Sequence, residues 1–238
     1  MLYIKHKLML IAPFFFISIP FVIIHRILEI KKRHYLGIKT TTYREVGAIA
    51  LMSSFIFIVT LTLGTSISFF NLPYMSQHIY ESLKSINLIP FKGIIEFGAH
   101  GFVNIFGNIF IFMPFGFCAT LLSRKEKRTK HIVLEGAVIS LIIEIIQVFI
   151  IRAMDINDII LNTLGTFIGL KILNFLEKCF PDFFNKFTIN KPINELTLKR
   201  KRKGYVITIL QIAVWIIMIV NIKYMVLIFN NKLLKYLF

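Results

Sequence analysis

Apolar residues fall in long runs divided by short basic stretches: Leu8–Ile24, Val46–Phe70, Gly101–Leu122, Ile132–Ile151, Ile156–Leu176 and Tyr205–Ile222. Each run approaches or exceeds the roughly 20 apolar residues that a helix needs to cross a bilayer. The last extends toward Phe229 if Lys223 snorkels to the interface. The pattern predicts an all-α fold, a polytopic transmembrane helix bundle of about six spanning helices. Ile156–Leu176 is the least apolar run, since it carries Asp158, Asn162 and Lys171. It counts as a span because it follows its predecessor after only a few residues, the spacing of an antiparallel helical hairpin. The first run resembles the apolar region of a secretory signal but lacks a small-residue cleavage site, so it is expected to stay in the chain. Three regions follow: two N-terminal helices in 1–70, a core with three helices in 71–176, and a basic loop with a final helix in 177–238.

Composition supports one membrane-embedded unit. Apolar residues make up 56% of the chain and charged residues 17%, against about 25% charge in ordinary soluble domains. The net charge of +16 does not point to nucleic acid, because the basic residues flank apolar runs. Cys118 and Cys179 belong to no metal or redox motif.

Lys and Arg are distributed unevenly between alternate loops. Segments 25–45, 123–131 and 177–204 carry 6, 5 and 8 of them, whereas 1–7, 71–99, 152–157 and 221–238 carry 2, 2, 1 and 3. The positive-inside rule then places the first set in the cytoplasm and both termini outside, in a multi-pass cell-membrane protein. The Lys199–Lys203 run reads as a topology anchor beside a helix start, with binding to anionic lipid heads or nucleic acid as the alternative.

Polar groups within spans are costly and often mark function. His100, Asn104 and Asn108 recur at i, i+4 and i+8 on one stripe, with Pro114 deeper, where it can kink the helix. Ser140, Glu144 and Gln147 share a face of the next span. Arg152, Asp155 and Asp158 follow around the turn, and then Asn162, Gly165 and Gly169 descend the fifth span. At about 1.5 Å per residue, these stripes end at the same, outward side of the bundle. Asn104, Asn108 and Asn162 fit either a ligand site or interhelical hydrogen bonding. Gly165 and Gly169 read as a small-residue packing face. Asp155 and Asp158 suit a helix N-terminus. Glu144 is the hardest to explain structurally, because a carboxylate in the bilayer needs a cation or a proton, and Arg152 two turns on is its natural partner.

Known chemistries find little support. No HExxH or similar spacing links His100, Glu144, Asp155 and Asp158, so neither a metal nor a cofactor is expected. No GxSxG elbow is present. Acid/base work by Glu144 and Asp158 stays open, since burial raises a carboxylate toward neutrality. Without a complete catalytic signature, a non-enzymatic role is favoured, with a membrane-embedded enzyme acting on a lipid or cell-wall precursor as the alternative. A small transporter ranks third, because the polar stripes stop near Pro114 and Gly169 and no internal repeat is evident.

Several ordered motifs between residues 86 and 170 resemble the VanZ-like family. They are Ile86-Asn87-Leu88-Ile89-Pro90-Phe91, then Asn104-x-x-Gly107-Asn108-x-x-x-Phe112-x-Pro114-Phe115-Gly116, and Glu144-x-x-Gln147. Next come Arg152-x-x-Asp155-x-x-Asp158-Ile159-x-x-Asn162-Thr163-x-Gly165-x-x-x-Gly169. Ile151 departs from the family, which often has Gly before the Arg. The resemblance implies a bacterial cell-envelope membrane protein, and the namesake member is associated with low-level teicoplanin resistance. An outward polar pocket formed by spans three to five is the expected ligand site. Its candidates are Asn104, Asn108, Glu144, Gln147, Arg152, Asp155, Asp158 and Asn162, with Arg152 placed to meet an anionic headgroup. The expected partners are membrane lipids and either a lipid-linked cell-wall precursor or a glycopeptide.

Overall fold

The computed structural model describes residues 2–35, 40–63, 75–90, 98–123, 128–149 and 153–187. These form α1 (Leu2–Tyr35), α2 (Thr42–Leu63), α3 (Met75–Lys84), α4 (Gly98–Leu122), α5 (Arg128–Phe149), α6 (Ile156–Cys179) and α7 (Pro181–Asn185). Among the described residues there is no β-strand, only an isolated bridge between Asn87 and Asp155. The protein is a helical membrane bundle. Helices α2, α4, α5 and α6 are each long and apolar enough to cross a bilayer, and they overlap the second to fifth predicted spans, of which 64–70 and 150–151 lie outside the described residues. The first predicted span lies within α1. Tyr205–Ile222 and the Lys199–Lys203 run lie outside the described residues.

The chain forms two compact units, residues 54–181 and residues 1–53 with 182–238, and the boundary falls within α2. In the first unit, α4 and α6 form the most extensively packed pair, and α5 lies against both. Glycine makes the approach of α4 and α6 possible. A methyl group on Gly169 would lie 2.1 Å from the Met113 carbonyl oxygen, and one on Gly165 would lie 2.3 Å from that of Ile109. From the other side, a methyl on Gly116 would lie 2.1 Å from the Thr166 carbonyl oxygen. The predicted small-residue face is therefore where two helix backbones meet. α5 joins at the same level, since Gly136 lies against the Thr166 side chain, 2.3 Å from its Oγ1 to a built Cβ. Thr166 is fully buried and satisfies its hydroxyl locally on the Asn162 carbonyl at 3.1 Å.

Apolar side chains both fill the interior and coat the exterior. Phe112, Ile132, Leu170 and Leu173 are buried, while Phe102, Phe106, Phe110, Ile142 and Phe175 are exposed. An apolar exterior of this kind suits hydrocarbon rather than water. Helix α4 continues through Pro114. Helix α3 has 10 residues, about 15 Å of rise, too short to span. It packs on α5 and leads into the loop that carries Asn87.

The second unit contains α1 and the start of α2. Thr41 caps α2, accepting from the Arg44 backbone N–H on its hydroxyl at 3.2 Å. Arg26 is buried and donates through Nε and Nη2 to Glu45 Oε2. Tyr43, Phe183, Phe184 and Phe187 form an aromatic cluster with edge-on pairs at 5.1–6.4 Å between centroids.

Candidate functional site

The polar residues of the 54–181 unit collect where α4 begins, α5 ends and α6 begins. Asp155 organises the centre. It is the N-cap of α6, with extended backbone at φ −122° and ψ 119°, and its Oδ1 accepts from the Asn157 backbone N–H at 2.9 Å. Capping by an aspartate satisfies one of the orphan N–H groups of a first helical turn. The same Oδ1 accepts from Asn87 Nδ2 at 3.0 Å.

Asn87 is also held by its backbone. Its N–H donates to the Met154 carbonyl and its carbonyl accepts from the Ile156 N–H, both at 2.9 Å. Its Oδ1 accepts from the Ile89 N–H at 3.3 Å, an Asx turn that shapes the loop. The segment before Pro90 is thus laid against the entrance to α6.

Glu144 enters from α5. It is 1% exposed, and its Oε2 accepts from the Asp155 backbone N–H at 3.0 Å. A buried carboxylate is tolerable only where donors surround it, and the turn before α6 supplies one. Arg152, the expected partner of Glu144, lies outside the described residues. On the other side, Asn108 of α4 donates through Nδ2 to Asp158 Oδ1. One turn deeper, Asn162 Nδ2 donates to Ser140 Oγ at 2.9 Å, with both residues buried. Asn162 Oδ1 is buried there and has no hydrogen-bond partner.

The structure thus brings together Asn108, Glu144, Asp155 and Asp158, with Asn162 just below. Two other sequence candidates lie apart from this group. Gln147 is buried and donates to the Thr62 carbonyl of α2 at 3.3 Å, so it ties α5 to the end of α2. Asn104 is exposed on α4, and its side chain is not hydrogen-bonded to another described residue. Four residues advance a helix about 40° beyond one full turn, which carries Asn104 away from the α6 contact that Asn108 makes. The side chain of His100 lies outside the described residues. Gly107, between the two asparagines, has no described atom within 4 Å of a built Cβ, so it is not a packing glycine of this unit.

Sequence reasoning missed Asn87 as a site residue. The available signal was an asparagine in a short polar turn before Ile-Pro; what it docks on could not be read, because Asp155 is 68 residues away.

Three carboxylates thus face the same turn, with Glu144 buried and Asp155 and Asp158 half-buried. Ionised carboxylates only accept hydrogen bonds, so the cluster favours ammonium, amide or hydroxyl donors. No group of His, Cys, Asp and Glu suited to a metal ion occurs among the described residues.

The curated Protein VanZ of Enterococcus faecium is 38% identical over 96 residues, covering 40% of this chain and 56% of that relative. The chain therefore spans little more than half the length of that relative. No solved structure matches. The VanZ/LLP1 family matches residues 54–177, a stretch that contains the glycine contacts between α4 and α6 and the residues of the carboxylate cluster, and the chain belongs to that family.

Proposed function

We propose that the Asn108–Glu144–Asp155–Asp158 cluster binds an amphipathic envelope molecule, either a lipid-linked cell-wall precursor or a teicoplanin-type glycopeptide, and so lowers sensitivity to such drugs. The observation that supports this most is the graded burial of the three carboxylates. Glu144 is buried, whereas Asp155 and Asp158 at the same end of the bundle are half-buried and keep part of their surface accessible. The ligand would enter at that open side and offer its amine, amide or hydroxyl donors to the carboxylates. The apolar exterior of α4 would accommodate an acyl chain. With both termini outside, as the loop charges indicate, the cluster opens toward the outer leaflet, where such molecules are met. Asn87 and Asn108 would orient Asp155 and Asp158.

The test is susceptibility to teicoplanin and to vancomycin in cells with and without the gene, at matched protein abundance. Glu144→Gln and Asp158→Asn are expected to abolish any protection; protection that survives both substitutions overturns the reading. Lipid and muropeptide mass spectra recorded in parallel separate binding from covalent modification. A product that depends on the gene and disappears with Glu144→Gln would replace binding by catalysis.

A further inference from the structure

We infer that the 1–53/182–238 unit holds a binding site for the phosphate of an anionic phospholipid where α1 ends and α2 begins. Three guanidinium groups gather there. Arg26 and Arg33 both lie within electrostatic range of Arg44, although like charges repel. The two nearby carboxylates are already engaged. Glu45 accepts from Arg26 and from Thr40 Oγ1, and Glu29 accepts from Arg33 Nε at 3.1 Å. Arg44 donates through Nη1 to a neutral acceptor, the Phe187 carbonyl, at 2.9 Å. Positive charge therefore exceeds negative in a partly dehydrated place.

A second observation points to a ligand. Arg33 Nη1 is buried and has no hydrogen-bond partner, and a buried guanidinium donor left in that state is costly. A phosphate offers the planar, multidentate acceptor that guanidinium groups favour.

The surroundings select a lipid over a free anion. Tyr43, next to Arg44 in the chain, and Phe183, 6.4 Å from the Tyr43 ring, are 45% and 48% exposed, with Lys186 Nζ 5.1 Å from the Tyr43 ring centroid. Exposed aromatic rings next to basic groups are the signature of the headgroup region of a bilayer. Ile27 and Ile30 on α1 are also exposed, and offer a path for an acyl chain.

The experiment uses the full chain in a neutral detergent, with native mass spectrometry to count retained lipid and thermal unfolding to read its effect. The probes are phosphatidylglycerol, phosphatidylcholine and inorganic phosphate. Phosphatidylglycerol is expected to be retained and to raise Tm beyond phosphatidylcholine, with inorganic phosphate doing neither. Arg33→Gln should reduce phosphatidylglycerol retention about tenfold, the loss of one charge-assisted hydrogen bond. Lys31→Gln removes the same charge from an exposed position of the same helix and should leave retention intact. Equal retention of the two lipids, unchanged retention in Arg33→Gln, or an equal loss in Lys31→Gln would overturn the proposal. So would a full Tm rise with inorganic phosphate, which would make the site one for free anions.

Discussion

Asn87 and Asp155 meet twice, once through a backbone bridge and once through a side-chain hydrogen bond of 3.0 Å. The loop before Pro90 and the entrance to α6 are therefore one structural piece. Asn87→Ala keeps the bridge and removes the bond to the carboxylate. It should cost about 1–2 kcal/mol, read as a lowered Tm in detergent. Asn87→Asp sets two carboxylates against each other and should cost more than Asn87→Ala; an equal or smaller loss would show that the side-chain bond carries little.

Asn108 and Asp158 connect α4 to α6 near the same end. A double-mutant cycle with Asn108→Ala and Asp158→Ala should return a coupling of about 0.5–3 kcal/mol, as residues in direct contact do. Additive losses would mean that the two side chains do not interact in the folded protein.

Asn162 and Ser140 form a buried pair, so removing one partner leaves the other exposed to an apolar interior. Ser140→Ala should destabilise by about 1–3 kcal/mol. Adding Asn162→Leu to Ser140→Ala should recover much of that loss, because both polar partners are then gone. Thermal unfolding of the single and double variants checks the order.

The two glycines around Thr166 predict different rescues. Gly116→Ala drives a methyl into the Thr166 backbone, so no change of the Thr166 side chain can relieve it. Gly136→Ala meets mainly the Thr166 side chain, so Thr166→Ala should restore part of the loss. Each single glycine substitution is expected to cost about 1–3 kcal/mol, seen as reduced yield and Tm.

The second to fifth spans could be read from the sequence because a helix in lipid must be apolar over its whole length. α6 looked weakest for a specific reason. It carries Asp158, Asn162 and Lys171, of which Asn162 is buried on Ser140, Asp158 is half-buried on Asn108 and Lys171 is exposed. The stripe through Asn108 and the capping role of Asp155 also followed from local spacing. What spacing could not supply was direction across the bundle. Gln147 shares the Glu144 face but reaches Thr62 of α2, and Asn104 shares the Asn108 stripe but stays exposed. The docking of Asn87 on Asp155 was equally hidden, since nothing local in either segment names the other.

The glycine contact between α4 and α6 also fixes an azimuth. Turning α6 by one residue, about 100°, would bring a side chain into the place of Gly165 or Gly169, where the α4 carbonyl oxygens of Ile109 and Met113 leave no room. The helix cannot roll. Asp158 sits about two turns, or roughly 10 Å, along the same rigid cylinder from Gly165, so its bearing toward Asn108 is set by packing at a distance. A substitution at Gly165 would therefore redirect the carboxylate without touching it, and the polar end of the bundle inherits its aim from the apolar middle.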